Sequence, residues 1–152
     1  MSRRDQIVLT GDEVAAFLDA ERVVTCATLG RDGWPHLMPL WYVVRHGTIW
    51  AWTYAKSQKV RNLERDARCT LQVEGGRDRY DQLRGIMVKA EAIVHRDLDT
   101  VTAVGLEIAR RYSRGAGVPE EPLRRQAAKR IALEFRERSR ATWDHRKLGG
   151  GA

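Results

Sequence analysis

Six stretches of this chain read as strands, most of them alternating side chains with a period of two, and turn-forming residues punctuate them. The longest sets Ile86, Val88, Ala90, Ala92 and Val94 against Met87, Lys89, Glu91, Ile93 and His95. A half-buried strand of that length bends to close a barrel. Residues 23–29, 34–44 and 48–54 form three more strands. A fifth carries Cys69, Leu71 and Val73, and a sixth turns Ile131, Leu133 and Phe135 inward against Arg130, Glu134 and Arg136. Gly30-Arg31-Asp32-Gly33 joins the first two as a hairpin, and Arg45-His46-Gly47 leads into the third. Pro35 and Pro39 lie inside the second strand. Proline donates nothing to a ladder, so that strand is an edge, a bulge or a segment facing a ligand.

Helical periods fill the remaining segments. Thr10-Gly11-Asp12-Glu13 is a capping box opening a helix with Val14, Phe17 and Leu18 on one face. Ser57 caps a short helix over residues 59–65. Leu98, Val101, Gly105, Ile108 and Tyr112 share a stripe over 97–112, and another short helix runs near 122–129. The expected fold is mainly β: a split antiparallel barrel of about six strands, Greek-key type, with short connecting helices. The 152 residues suit one split-barrel domain over 1–148, with 149–152 as a flexible tail.

No apolar run approaches the ~20 residues of a membrane span, and the first residues lack the apolar core of a cleaved signal peptide. Cys26 and Cys69 sit in alternating runs without metal-ligand spacing, which implies buried free thiols and a reducing cytoplasm. The net charge of +7 is uneven. Residues 1–76 carry 10 basic and 9 acidic side chains, and residues 77–152 carry 17 and 11. Such a surplus suits a solvated surface, a nucleic acid, or a site for a strongly anionic small molecule.

Dinucleotide, P-loop, zinc-protease and nucleophile-elbow motifs are all missing, and the four histidines show no ligand spacing. No metal site and no catalytic side chain is assigned; a cofactor is expected to perform any chemistry. The best candidate site is Lys56-Ser57-Gln58-Lys59-Val60-Arg61-Asn62-Leu63, which follows an aromatic strand and enters a helix. Its ammonium groups, hydroxyl, guanidinium and free backbone N–H groups make a phosphate cradle. The same residues also describe a capped, solvated basic helix. Trp50, Trp52 and Tyr54 suit a core or a dimer interface better than a nucleobase platform.

The arrangement resembles the flavin- and deazaflavin-dependent oxidoreductases with the pyridoxamine-phosphate-oxidase-like FMN-binding split β-barrel. The landmarks are Ala27-Thr28-Leu29, Asp32-Gly33-Trp34-Pro35, Pro39-Leu40-Trp41-Tyr42, Lys59-Val60-Arg61-Asn62-Leu63 and Asp66-Ala67-Arg68. The tail Trp143-Asp144-His145-Arg146-Lys147-Leu148 resembles the actinobacterial branch that uses coenzyme F420. The basic pyridoxal-phosphate-binding pattern of true pyridoxamine phosphate oxidases is not evident at the C-terminus.

The resemblance implies a homodimer with cofactor sites between protomers. Lys59 matches the family's phosphate-contacting lysine, flanked by Lys56, Ser57, Arg61 and Asn62. Met38, Pro39, Leu40 and Trp41 match the strand beside the cofactor ring, and Thr53 lies on the neighbouring strand. Trp143 and Lys147 would complete the site from the partner chain. The implied function is hydride transfer from reduced F420 to an unsaturated organic small molecule, with an FMN-dependent oxidase or reductase, or a non-catalytic cofactor-binding protein, as the alternatives. Neither a membrane nor a nucleic acid is the expected partner.

Overall fold

A computed structural model describes residues 1–149. A short helix α1 (Arg3–Gln6) precedes α2 (Gly11–Ala20), whose capping box is formed as expected. Thr10 Oγ1 accepts from the Glu13 N–H, and the Glu13 carboxylate accepts from the Thr10 N–H. Seven strands follow, all paired antiparallel in one sheet: β1 (Val24–Leu29), β2 (Pro35–Leu40), β3 (Val43–Arg45), β4 (Thr48–Tyr54), β5 (Arg68–Gly75), β6 (Arg84–His95) and β7 (Arg130–Asp144). Between them lie α3 (Gln58–Arg65), α4 (Leu98–Tyr112) and α5 (Glu120–Ala127).

The sheet order is β2-β1-β5-β6-β7-β4-β3, and the sheet curls into a half-barrel. A bulge helps it curl: Lys89 pairs with Ser139 but Ala90 with Glu137, leaving Arg138 as an extra residue on β7. Val24, Cys26, Leu71, Ile86, Val88, Leu133 and Phe135 fill the concave side beneath α2 and α3. A second, smaller core lies on the convex side. There Val101, Val104 and Ile108 of α4 cover Trp50 and Ala132. Both cysteines are free and buried. Among the described residues, no helix is long and apolar enough to cross a membrane.

The expected strand over 34–44 is two strands on opposite edges of the sheet, which raises the count from six to seven. The break falls at Trp41 and Tyr42. Side chains, not a neighbouring strand, take the Tyr42 backbone: its N–H donates to the Tyr112 hydroxyl at 3.1 Å, and its carbonyl accepts from Arg111 at 2.6 Å. The Tyr42 hydroxyl donates to the Leu18 carbonyl at 2.5 Å, burying the ring. Pro35 and Pro39 sit on the edge strand β2, as their missing donors require. Of the tail expected at 149–152, Gly149 donates to the Arg146 carbonyl at 3.2 Å; the rest lies outside the described residues.

Candidate functional site

β4 and α3 build the candidate site. The chain leaves Tyr54, turns through a Ser57 N–H to Tyr54 carbonyl bond of 3.0 Å, and enters α3 one residue earlier than expected. Ser57 occupies the N-cap position, but its hydroxyl makes no capping bond. Instead Oγ is buried without a partner. The first-turn N–H groups of α3 therefore lack the side-chain acceptor that an N-cap serine ordinarily gives them.

Lys59 and Asn62 stand three residues apart on the buried face of α3, with Val60 and Leu63. Lys59 is not a solvated surface lysine. It is 7% exposed, and Nζ donates to Thr53 Oγ1 at 3.0 Å. No carboxylate lies within ion-pair distance among the described residues. Burial lowers its pKa, partly offset by the nearby Cys26 sulfur. A buried ammonium without a counter-charge is costly, and an incoming anion removes that cost.

Asn62 has a different task. Its Nδ2 donates to Thr28 Oγ1 at 3.0 Å, and its Oδ1 accepts from Gln58 Nε2 at 2.9 Å. It ties α3 to β1 across the mouth of the barrel. On the outer side of α3, a cleft of about 760 Å³ separates the helix from the β1–β2 hairpin. Arg31, Asp32, Trp34, His36, Arg61 and Arg65 line it, with Asn62 at its floor. His36 Nδ1 is buried there without a partner.

Of the remaining expected site residues, Met38 and Leu40 share the His36 face of β2, and Pro39 takes the other. Trp41 is 56% exposed and stacks on Tyr112, with ring centroids 4.4 Å apart. Lys56 is exposed at the turn before α3. Trp143 and Lys147 are not brought to Lys59 within the protomer. Trp143 packs on Gly85 at the opposite end of β7 from Arg130, and Lys147 donates to Glu13 and to the Val8 carbonyl.

Thr28, Arg31, Trp34, His36 and Arg65 were not among the expected site residues, although Thr28 and Trp34 stand in the landmarks of the family resemblance. Spacing pointed to two of them. Arg65 is one helical turn from Arg61, and His36 is two residues from Met38 on an alternating strand. Part of the basic complement of the second half is held in ion pairs. Arg124, Arg136, Arg138, Arg140, Arg146 and Lys147 each pair with a carboxylate.

Residues 10–140 match the sequence pattern of the pyridoxamine 5'-phosphate oxidase family. The chain belongs to that family. The conserved hypothetical protein Rv2991 from Mycobacterium tuberculosis is 38% identical, with a TM-score of 0.90 over 100% of this chain and 95% of that one. An F420 reductase has 20% identity and a TM-score of 0.67, covering 83% and 94% of the two chains. A FAD-binding protein from Mesorhizobium loti has 17% identity and a TM-score of 0.67 over 89% and 94%. The last two likenesses are of fold alone. No curated protein matches the chain. The family's split barrel is what the sheet order and curl describe, and the names of the last two structures refer to F420 and to FAD.

Proposed function

We propose that this protein is an oxidoreductase that uses reduced F420 to transfer a hydride to an unsaturated organic small molecule. The Lys59 ammonium carries the reading: it is buried, lacks a carboxylate partner, and lies at the start of α3 beside the orphaned Ser57 hydroxyl. That donor set fits a phosphate, which both F420 and FMN carry.

Lys59, Ser57 and the first-turn N–H groups would hold the phosphate, with Lys56 on the solvent side. Met38, Pro39, Leu40 and Trp41 would flank the ring. Bound F420 supplies the hydride. The protein binds and orients both reactants and keeps water from them. His36 offers an unpartnered ring nitrogen in the cleft for a polar group of the substrate. The choice of F420 over FMN rests on the Trp143–Leu148 resemblance and on Arg31, Arg61 and Arg65, which complement an acidic tail.

The working unit of this reading is a homodimer. Trp34, Leu37 and Trp41 on and beside the edge strand are 75%, 57% and 56% exposed. A partner protomer covers such a surface and brings its own Trp143 and Lys147 to the cleft.

Titration with F420 and FMN, followed by oxidation of the reduced cofactor against a panel of unsaturated acceptors, tests the proposal. Tight F420 binding and turnover are expected. Equal or tighter FMN binding transfers the site to an FMN-dependent enzyme. Binding without turnover on any acceptor supports a cofactor carrier.

A further inference from the structure

β4 presents two unlike surfaces back to back. Thr53 faces Lys59 on the concave side, whereas Trp52 faces the convex side beneath α4 and α5. There a groove of about 450 Å³ runs between Trp41 and Trp52 on one side and Ile108, Val118 and Leu123 on the other. Its end at Pro122, Gln126 and Arg130 opens into a second hollow of about 590 Å³ beside Arg125 and Lys129. The result is an apolar slot with a cationic mouth.

Arg130 stands where the two meet. Its guanidinium carbon lies 4.5 Å from the Trp52 ring centroid and 4.2 Å from that of Tyr54. Its Nε is buried and donates to nothing. Among the described residues, Arg125, Lys129 and Arg130 have no carboxylate within ion-pair distance, although the adjacent Arg124 is paired with Asp99. Gly105 fixes the wall: a Cβ there would lie 2.5 Å from the Trp52 ring, so α4 already presses against the indole.

We propose that this groove binds a small apolar carboxylate, an aromatic or medium-chain aliphatic acid. The hydrocarbon lies along Trp52 and the carboxylate meets Arg130. Burial of the apolar part is favourable, and a carboxylate satisfies the guanidinium fork in two parallel bonds. A neutral alcohol offers a single uncharged acceptor in place of the paired, charge-assisted bonds of a carboxylate. Trp52 and Arg130 lie across the sheet from Lys59, and of the groove's lining only Trp41 is shared with the strand proposed to flank the cofactor ring.

Calorimetric titration with 2-naphthoate and octanoate, against 2-naphthol and octanol, tests the assignment on the intact protein. NMR of the Trp41 and Trp52 indole N–H signals locates the ligand. Both acids should bind at least tenfold more tightly than their neutral counterparts and shift the Trp52 signal. R130Q should weaken the acids at least tenfold. A109F, which fills the slot from α4 without touching Arg130, should abolish binding. Lys59→Ala should leave it unchanged, which separates this site from the cofactor reading. Equal affinity for acids and neutral analogues, an unmoved Trp52 signal at millimolar acid, or either groove variant binding like wild type overturns the proposal.

Discussion

Lys59 Nζ reaches Thr53 Oγ1 at 3.0 Å, and both residues are buried. A hydroxyl is the ammonium's only bonded partner among the described residues. An ammonium donates three hydrogen bonds, and a neutral oxygen satisfies one of them without offsetting the charge. The protein thus retains a cost that an anion at the start of α3 would relieve.

The first prediction concerns that cost. Burial lowers the Lys59 pKa, so between its folded value and the unfolded value near 10.5 the unfolded chain binds more protons. Stability contributed by this site therefore rises with pH across that window. Below it, the whole penalty is present. K59M should be as stable as the wild type or more so at neutral pH, with the difference shrinking as pH climbs toward 10. Parallel melting temperatures of the two proteins across pH 7 to 10 would contradict a buried charged lysine. The same variant should lose about 10- to 150-fold in cofactor affinity, the equivalent of roughly 1.5–3 kcal/mol for a charge-assisted bond.

Asn62 and Thr28 should behave as a coupled pair. N62A leaves the buried Thr28 hydroxyl without its donor and costs about 1–3 kcal/mol. With T28V already in place, part of that loss is gone. A double-mutant cycle by urea unfolding should give a coupling of roughly 0.5–3 kcal/mol. Simple additivity would mean that the 3.0 Å bond does not hold α3 to β1 in solution.

Arg111 reaches across from α4 to the carbonyls of Leu18, Asp19, Glu21 and Tyr42, at 2.8, 3.1, 2.6 and 2.6 Å. These are the groups freed where α2 ends and where β2 gives way to β3. Arg111→Met should cost about 2–4 kcal/mol, because it strands several carbonyls at once. Arg111→Lys keeps the charge but not the planar fork, and should recover only part of the loss. Full recovery by lysine in denaturant unfolding would show that charge alone matters.

The same contacts explain which parts of the fold were legible in the sequence. The Thr10–Glu13 capping box lies within one helical turn, and the alternation of β6 lies within one strand; local pattern sufficed for both. The division of 34–44 into β2 and β3 was not legible. Residues 37–44 are apolar throughout, so no change of pattern marks Trp41 and Tyr42, and the groups that break the strand there come from Arg111 and Tyr112, far along the chain. The candidate site was half legible. Ser57 and Lys59 stood out by type and spacing, but a lysine between Gln58 and Arg61 reads equally as solvated. Its burial follows from Val60 and Leu63 turning that face of α3 into the barrel. Which charges are paired was not legible for a related reason: pairs such as Arg138–Glu91 exist only once β6 and β7 are in register.

The edge strand makes a prediction about assembly. Sedimentation should give twice the 17.4 kDa chain mass at micromolar concentration. Leu37→Arg places a charge in the exposed apolar surface of β2, away from Lys59, and should shift the equilibrium toward monomer. A monomeric wild type, with or without cofactor, would remove the partner from the proposed site.

The last prediction concerns cofactor choice. F420 and FMN share a phosphate, so Lys59 does not separate them, and any preference must come from the rest of each molecule. The cleft beside α3 carries Arg31, Arg61 and Arg65 against a single carboxylate, Asp32. Arg65 is partly engaged by the Leu29 carbonyl, whereas Arg61 has no carboxylate partner among the described residues. Exposed contacts between such arginines and the carboxylates of an F420 tail are worth about 0.2–1 kcal/mol each and are screened by salt. F420 should therefore bind more tightly than FMN at low ionic strength, and the gap should narrow, though not close, as salt is added. R61Q should cost F420 a few-fold in affinity at low salt, leave FMN nearly unaffected, and flatten the salt dependence. Titrations of F420, a tail-shortened F420 and FMN at two salt concentrations distinguish the outcomes. Equal or better FMN binding at both would move the protein to FMN chemistry. F420 binding that ignores both tail length and Arg61 would keep the cofactor but reject the arginine cleft as the seat of its tail.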